Sequence, residues 1–441
     1  MIFRKCLYNV TLSWLKQVNP LYHTFVHFIL RSILRITQYP AKIFCVMQPL
    51  VTSKRVESID LLRGLVMIIM ALDHTRDFFH REALTDDPLN LATTTPFLYF
   101  TRWITHFCAP AFVFLAGVSA WLQGRKKSRK ELSLFLITRG LWLVLIELTV
   151  VSFGITADIH FGMLILQTIW AIGISMIFLG LAIWLPFNII LITGLLIVFG
   201  HNSLDFVEKN HKGPFPAWWN LLHVPGMIPI SSDHLVGVFY PFLSWAGLML
   251  LGYCCGKIFS DVEPVRRRKI LLFMGFGLLI LFVVLRAINV YGDPDHWSYQ
   301  GNGLYTFLSF MKVRKYPPSL LYMSVTIGIA LIFLGLVKNT ASRISKIISV
   351  YGRVPFFYYI LHFYLLHIIA AIVFLSRGHT LAEGLRDMPG VVEKFEIPGE
   401  GYNLWVVYAI WISVVIALYP LCKWYDAYKT NHREKRWLSY L

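Results

Sequence analysis

The chain has 441 residues, of which 56% are hydrophobic and only 15% charged, with a formal net charge of +17. So few charges exclude a string of soluble domains, and the basic excess falls in clusters between apolar runs, the positive-inside pattern of a polytopic membrane protein. No nucleic-acid partner is expected from charge arranged in this way.

Residues 1–50 alternate apolar and basic side chains through Phe25-Val-His-Phe-Ile-Leu-Arg-Ser-Ile-Leu-Arg35. Two readings stand: a basic amphipathic helix on an anionic membrane face, or a stretch upstream of a start at Met47. A secretory signal is not expected, because Lys16, Arg31 and Arg35 interrupt any apolar core. The transmembrane domain is placed at 51–425 and a basic cytoplasmic tail at 426–441.

About ten spans are predicted from residue 55 onward, at 59–79, 104–123, 133–154, 162–183, 186–200, 235–256, 269–288, 319–337, 354–376 and 404–422. The fold class is an all-α bundle of transmembrane helices. With ten spans, Lys54 and Arg55, Arg125 to Lys130, Arg266 to Lys269, Lys338 to Lys346 and Lys423 to Arg436 share one side, so both termini are predicted to be cytoplasmic.

The first span carries the most unusual residues. At about 100° per residue, Arg63, Met67, Met70, His74 and Asp77 form one stripe, and Asp60 can pair with Arg63 one turn later. His74 lies roughly 16 Å along the helix from Arg63, near mid-membrane. Ionisable groups at that depth face a bundle interior or a wet cavity. Asp73 and His74 lead as catalytic candidates, since neutral His accepts a proton near pH 7. As sequence neighbours they point about 100° apart, so each needs a partner on another helix.

The second span opens with His106, which could share a vestibule with His74; Pro110 is expected to kink it, and Gly117 and Ser119 allow close helix contact. Arg139 and Glu147 in the third span read as a structural pair. Loops 80–103, 201–234, 289–318 and 377–403 fall on the opposite side from the basic clusters. Their aromatic and polar mixture, as in Pro214-Phe-Pro-Ala-Trp-Trp219, suits either a sugar-binding surface or an interfacial aromatic belt. The ninth span begins with Arg353 at the cytoplasmic mouth, where a phosphate-bearing ligand or lipid phosphate would meet it, and carries His362 deeper.

Cys6, Cys45, Cys108, Cys254, Cys255 and Cys422 show no metal-ligand spacing, so no metal is expected. Walker-type GxxxxGK[ST], GxSxG and HExxH signatures are absent, which leaves ATP-driven transport, a serine hydrolase and a zinc protease unsupported.

Several motifs occur in a recognisable order. Ser58-Ile-Asp-Leu-Leu-Arg-Gly64, Asp73-His74-Thr-Arg-Asp77 and Pro110-Ala-Phe-Val-Phe-Leu-Ala-Gly117 are followed by Tyr240-Pro-Phe-Leu-Ser-Trp-Ala-Gly-Leu-Met-Leu-Leu-Gly252. Lys315-Tyr-Pro-Pro-Ser-Leu320 and Tyr351-Gly-Arg-Val-Pro-Phe with His362 complete the set. Together they resemble bacterial membrane proteins related to the catalytic domain of heparan-alpha-glucosaminide N-acetyltransferase, in the wider transmembrane acyltransferase group.

The resemblance implies acyl transfer, typically acetyl from cytoplasmic acetyl-CoA as co-substrate, to a sugar or glycan acceptor across a bacterial inner membrane, with no bound cofactor. It implies an embedded histidine as base or transient acyl carrier. His74, Asp73 and His106 would be catalytic, with His80 a further candidate base. Arg63 and Arg353 would hold CoA phosphates, and Arg76, Asp77 and His362 would meet the substrate. The partners are then acyl-CoA, the glycan, the lipid bilayer and a possible second copy of the chain. The competing classes are a proton-coupled transporter or flippase, with Asp73 and His74 as proton relay, and a structural membrane protein.

Overall fold

One unbroken helix, α1 (Glu57–Phe79), lies at the centre of the helices that carry the site. Glu57 and Asp60 in its first turn and Arg76 in its last complement the helix dipole. The computed structural model describes residues 56–432, except 338, 339 and 387–390, together with 434, 435 and 438. The extension predicted over 1–50 lies outside the described residues.

After α1 come α2 (Pro96–Ile104), a 3₁₀ turn over Thr105–Phe107, and α3 (Cys108–Gly124). Next is α4 (Arg129–Ile146), which runs on through a π turn at Glu147–Val151 into a short helix, Ser152–Thr156. The chain then forms α5 (Thr168–Ala182), α6 (Phe187–Gly200), α7 (Phe242–Asp261) and α8 (Pro264–Ile288). The final group is α9 (Gly303–Met311), α10 (Leu320–Leu336), α11 (Arg343–Arg353), α12 (Pro355–Ser376) and α13 (Leu404–Asn431).

Each of the ten predicted stretches contains one of these helices. Among the described residues, seven helical stretches are long and apolar enough to cross a membrane, and α5 and α10 are shorter apolar helices. α1 has 23 residues but carries Asp60, Arg63, Asp73, Arg76 and Asp77. Phe273, Phe276, Ile280 and Val283 on α8 are exposed, as on a helix whose outer face meets lipid.

Two predicted spans start later than expected. Met163–Leu166 (β1) and Leu235–Val238 (β3) are strands, and with Gly226–Pro229 (β2) they form a sheet of order β1-β3-β2, β1 parallel and β2 antiparallel to β3. A short apolar run is strand or helix by hydropathy alone. Here Ala157 and Phe161, both at positive φ, separate β1 from the helix before it, and Pro241 marks the start of α7.

Small residues set how closely the helices approach. A Cβ on Gly352 of α11 would lie 1.9 Å from the Asp60 carbonyl oxygen of α1, and one on Gly117 of α3 would lie 2.2 Å from the Met249 carbonyl oxygen of α7. Both contacts bring backbone against backbone, the close packing that small residues allow in membranes. Pro110 sits in the first turn of α3, just after the 3₁₀ turn. It has no N–H for the His106 carbonyl, which accepts the Tyr322 hydroxyl at 2.8 Å instead.

The basic clusters meet at one end. Arg125 lies 3.7 Å from Asp261, Thr340 bonds Glu57, and Arg353 lies 2.6 Å from Asp426.

Candidate active site

His74 faces α12. Its Nδ1 lies 2.6 Å from His362 Nε2, and its ring stacks on His362 and on Phe363, with centroids 4.9 and 4.3 Å apart. His362 is fully buried and its Nδ1 lies 3.2 Å from the Tyr358 carbonyl oxygen. A carbonyl only accepts, so Nδ1 of His362 carries the proton and its Nε2 accepts the Nδ1–H of His74. That leaves the lone pair of His74 on Nε2. His74 is only partly buried.

Asp73, on the adjacent face of α1, collects cations. Arg102 from the last turn of α2 donates to Oδ2, Lys315 Nζ lies 3.7 Å from the same oxygen, and Arg76 Nη2 is 3.1 Å from Oδ1. Arg76 also bonds Asp77, whose side chain is 43% exposed. Arg76, Arg102 and Lys315 thus face Asp73 and Asp77, an excess of one positive charge beside His74. An excess of this kind stabilises negative charge developing on a reacting carbonyl.

Local sequence explains how these cations arrive. Thr95 caps α2 by accepting the Leu98 amide at 3.3 Å, and Pro96 begins the helix that ends with Arg102. Lys315 lies on the loop before α10. Fully buried Arg286 holds that loop by donating to the carbonyls of Phe310 (2.9 Å), Asp295 (2.7 Å), Ser309 (3.0 Å) and Lys312. Asp293 fixes its other strand, accepting from the Arg314 amide at 2.9 Å and from the Ser319 hydroxyl at 2.6 Å.

The remaining candidates take separate places. His106 is buried in the 3₁₀ turn, edge-on to Tyr322 at 5.3 Å, and neither ring nitrogen has a partner among the described residues. His80 caps α1 and accepts the Glu82 amide on Nδ1 at 3.3 Å; burial pulls its imidazole below the usual range. It lines a cavity of about 40 Å³ with Phe78, Arg377, Glu396, Glu400 and Tyr402. Burial and the neighbouring Asp77 charge push Glu393 up to about 7, and burial raises Glu396 well above the carboxylate range.

At the basic end, Arg63 donates to Ser119 Oγ at 3.0 Å and to the Gly352 carbonyl at 3.3 Å, and lies 3.6 Å from Asp60. Arg353 places Nε 2.7 Å from Asp426 Oδ2. The structure therefore brings Arg63 and Arg353 together at the C-terminus of α11, each engaged by neighbouring groups.

Among the loop aromatics, Trp219 donates to Glu208 at 2.9 Å and Trp297 to the Arg286 carbonyl at 2.8 Å, while Trp218 and Tyr299 stay exposed. Glu147, read in sequence as pairing with Arg139, instead accepts the Gln167 amide at 2.7 Å.

Sequence reasoning passed over Arg102 and the role of Lys315. Arg102 stands among aromatic residues at the end of a loop, where it reads as an interfacial anchor. Lys315 belongs to a quoted motif, Lys315-Tyr-Pro-Pro, but nothing in its spacing points to Asp73.

Residues 55–285 match the family described as "Heparan-alpha-glucosaminide N-acetyltransferase, catalytic". No curated protein matches the chain. The matched segment includes Asp73, His74, Arg76, Arg102 and His106, and ends before Lys315 and His362.

Proposed function

The chain belongs to the heparan-alpha-glucosaminide N-acetyltransferase catalytic family, and from that membership we propose that it transfers an acyl group, acetyl from acetyl-CoA, to a sugar or glycan across the membrane. The basic end is cytoplasmic in this reading and receives the CoA phosphates near Arg63 and Arg353. The membrane would be a bacterial inner membrane, as the motif resemblance implies. The observation that carries the proposal is His74, set 2.6 Å from His362 with its Nε2 lone pair left over, next to a buried excess of cationic charge.

His74 Nε2 takes the proton from the acceptor N–H or O–H as that atom attacks the thioester carbonyl. Negative charge develops on the carbonyl oxygen beside Arg76, Arg102 and Lys315. The C–S bond then breaks, and the thiolate recovers the proton from His74. Asp73 holds the three cations in place, and His362 holds the tautomer. In the variant with an acyl-His intermediate, the acyl group rests on the same Nε2 before the acceptor takes it.

The test is radiolabelled acetyl-CoA supplied to purified protein in proteoliposomes with a panel of amino sugars and envelope glycans. Wild type is expected to transfer label and His74→Ala to lose it. Transfer that survives His74→Ala would move the base to His106 or His80. No transfer and no CoA binding by wild type would overturn the acyltransferase reading in favour of proton-coupled transport through Asp73 and His74.

A further inference from the structure

A second set of buried polar atoms lies beside the histidine pair and takes no part in the transfer step above. α4 widens to a π turn at Glu147–Val151, a distortion frequent at functional sites. Ser152 stabilises the wide turn: its Oγ donates to the Glu147 carbonyl at 2.8 Å and accepts the Ile165 amide of β1 at 3.1 Å. Glu147 is fully buried, and its Oε1 accepts the Gln167 N–H at 2.7 Å, capping α5 where Gln167 supplies no side-chain cap.

Glu147 Oε2 has no partner among the described residues, and the same holds for the Tyr359 hydroxyl and for the Trp170 indole N–H on the first turn of α5. Tyr359 is 4% exposed, on α12 between Phe356, whose ring meets Trp142 of α4 at 5.3 Å, and Tyr364, whose hydroxyl donates to the Val150 carbonyl of the π turn at 2.9 Å. Its ring is edge-on to His74 and to His362, at 6.4 and 5.6 Å between centroids. Buried polar atoms in proteins are nearly always paired, so this group on α4, α5 and α12 has hydrogen-bonding capacity to offer a small molecule.

The chemistry of the three atoms narrows that ligand. An indole N–H only donates, a phenol hydroxyl can donate, and a carboxyl oxygen accepts. A secondary amide presents the complement, one carbonyl and one N–H fixed in a plane. The aromatic rings around Tyr359, Phe363 at 5.3 Å and Phe356 at 6.4 Å, suit apolar methylene or methyl groups on either side of it.

We propose that Glu147, Tyr359 and Trp170 form a subsite for a secondary amide held beside His74, its N–H donated to Glu147 and its carbonyl accepting from Tyr359 and Trp170. The subsite rests on the acyl-transfer reading for its purpose: an amide lies either in the arm of a pantetheine thioester donor or in the acetamido group of an acetylated amino sugar.

Calorimetric titration of the purified full chain with pantetheine and with N-acetylglucosamine separates the two sources. Wild type is expected to bind at least one, and Tyr359→Phe and Trp170→Phe, each of which removes a donor and keeps an aromatic ring, to bind it at least tenfold more weakly. Binding of pantetheine assigns the amide to the donor, and binding of N-acetylglucosamine alone assigns it to the product. No binding of either, or equal binding by wild type and both variants, overturns the subsite. A kinetic measurement adds independence: the ratio of kcat/KM for acetyl-pantetheine to that for S-propyl thioacetate, which lacks the amide, is expected to fall at least tenfold in both variants. For a subsite that binds pantetheine, an unchanged ratio overturns the proposal even where both rates drop. N-acetylglucosamine binding by a wild type that neither transfers acetyl nor binds CoA would sink the acyl-transfer reading and leave the amide subsite standing.

Discussion

At the scale of single residues, the site separates the two neighbours that the sequence placed side by side. Asp73 and His74 point to different faces of α1, and each finds its partners elsewhere: Asp73 with Arg76, Arg102 and Lys315, His74 with His362. The group that orients the base is therefore a histidine rather than a carboxylate. The prediction at this scale concerns His362. His362→Ala is expected to lower kcat by about 10²–10⁴-fold with the donor KM little changed, because base strength and orientation are lost while binding groups stay. Steady-state kinetics in both substrates check this. A rise in KM without loss of kcat would make His362 a substrate contact instead. The fixed tautomer was legible from no spacing, since His74 and His362 are 288 positions apart.

At the scale of elements, α1 is held where it is by close backbone approach. α11 reaches α1 through Gly64 and Gly352, and Arg63 binds across the same junction to Gly352 and to Ser119 of α3. Gly352→Ala puts a methyl group onto the Asp60 carbonyl oxygen. The expected cost of such overpacking is about 1–3 kcal/mol. Thermal unfolding in detergent, compared with Gly277→Ala on α8, where an added Cβ meets nothing within 4 Å, checks it. A midpoint no lower than the control's would mean that α11 shifts freely. The helices themselves were legible, because hydropathy and length determine them. The π turn at Glu147 and the strands at Met163 and Leu235 were not, because each depends on a hydrogen-bonding partner from a distant segment.

At the scale of the whole molecule, the segment 391–402 closes the end opposite the basic clusters. The Lys394 amide donates to the Thr156 carbonyl at 3.2 Å, and the Tyr402 amide to the Phe79 carbonyl at 2.6 Å, tying the segment to the end of α1. Within it lie Glu393, pushed up to about 7, and Glu396, raised well above the carboxylate range. Both carboxyls bind their protons more tightly in the folded state than in the unfolded one. Their contribution to stability is thus complete below the unfolded value of about 4.3 and is lost as pH rises from there through the folded values, the loss for Glu393 being complete above about 7. Hydrogen-exchange protection of 391–402 is expected to fall as pH rises from about 4.3 to about 7 after correction for intrinsic rates, and Glu393→Gln to flatten that fall. Protection that rises with pH would mean the segment docks through ionised carboxylates.

The sequence by itself determined the class of molecule, a helical membrane protein of the acyltransferase family, because apolar run length, clustered basic charge and ordered motifs are all local properties of the chain. It also singled out the stripe of α1 that carries Arg63, His74 and Asp77, since helical periodicity assigns a face before any partner is known. Only the tertiary structure decided which groups meet that face. Arg102, Lys315 and His362 come from a loop helix, a loop and α12, and Glu147 turns inward through a π turn held by β1. Such contacts follow from how helices cross and how a loop is stapled by Arg286 and Asp293, and no spacing in the chain encodes the distance between two crossing helices.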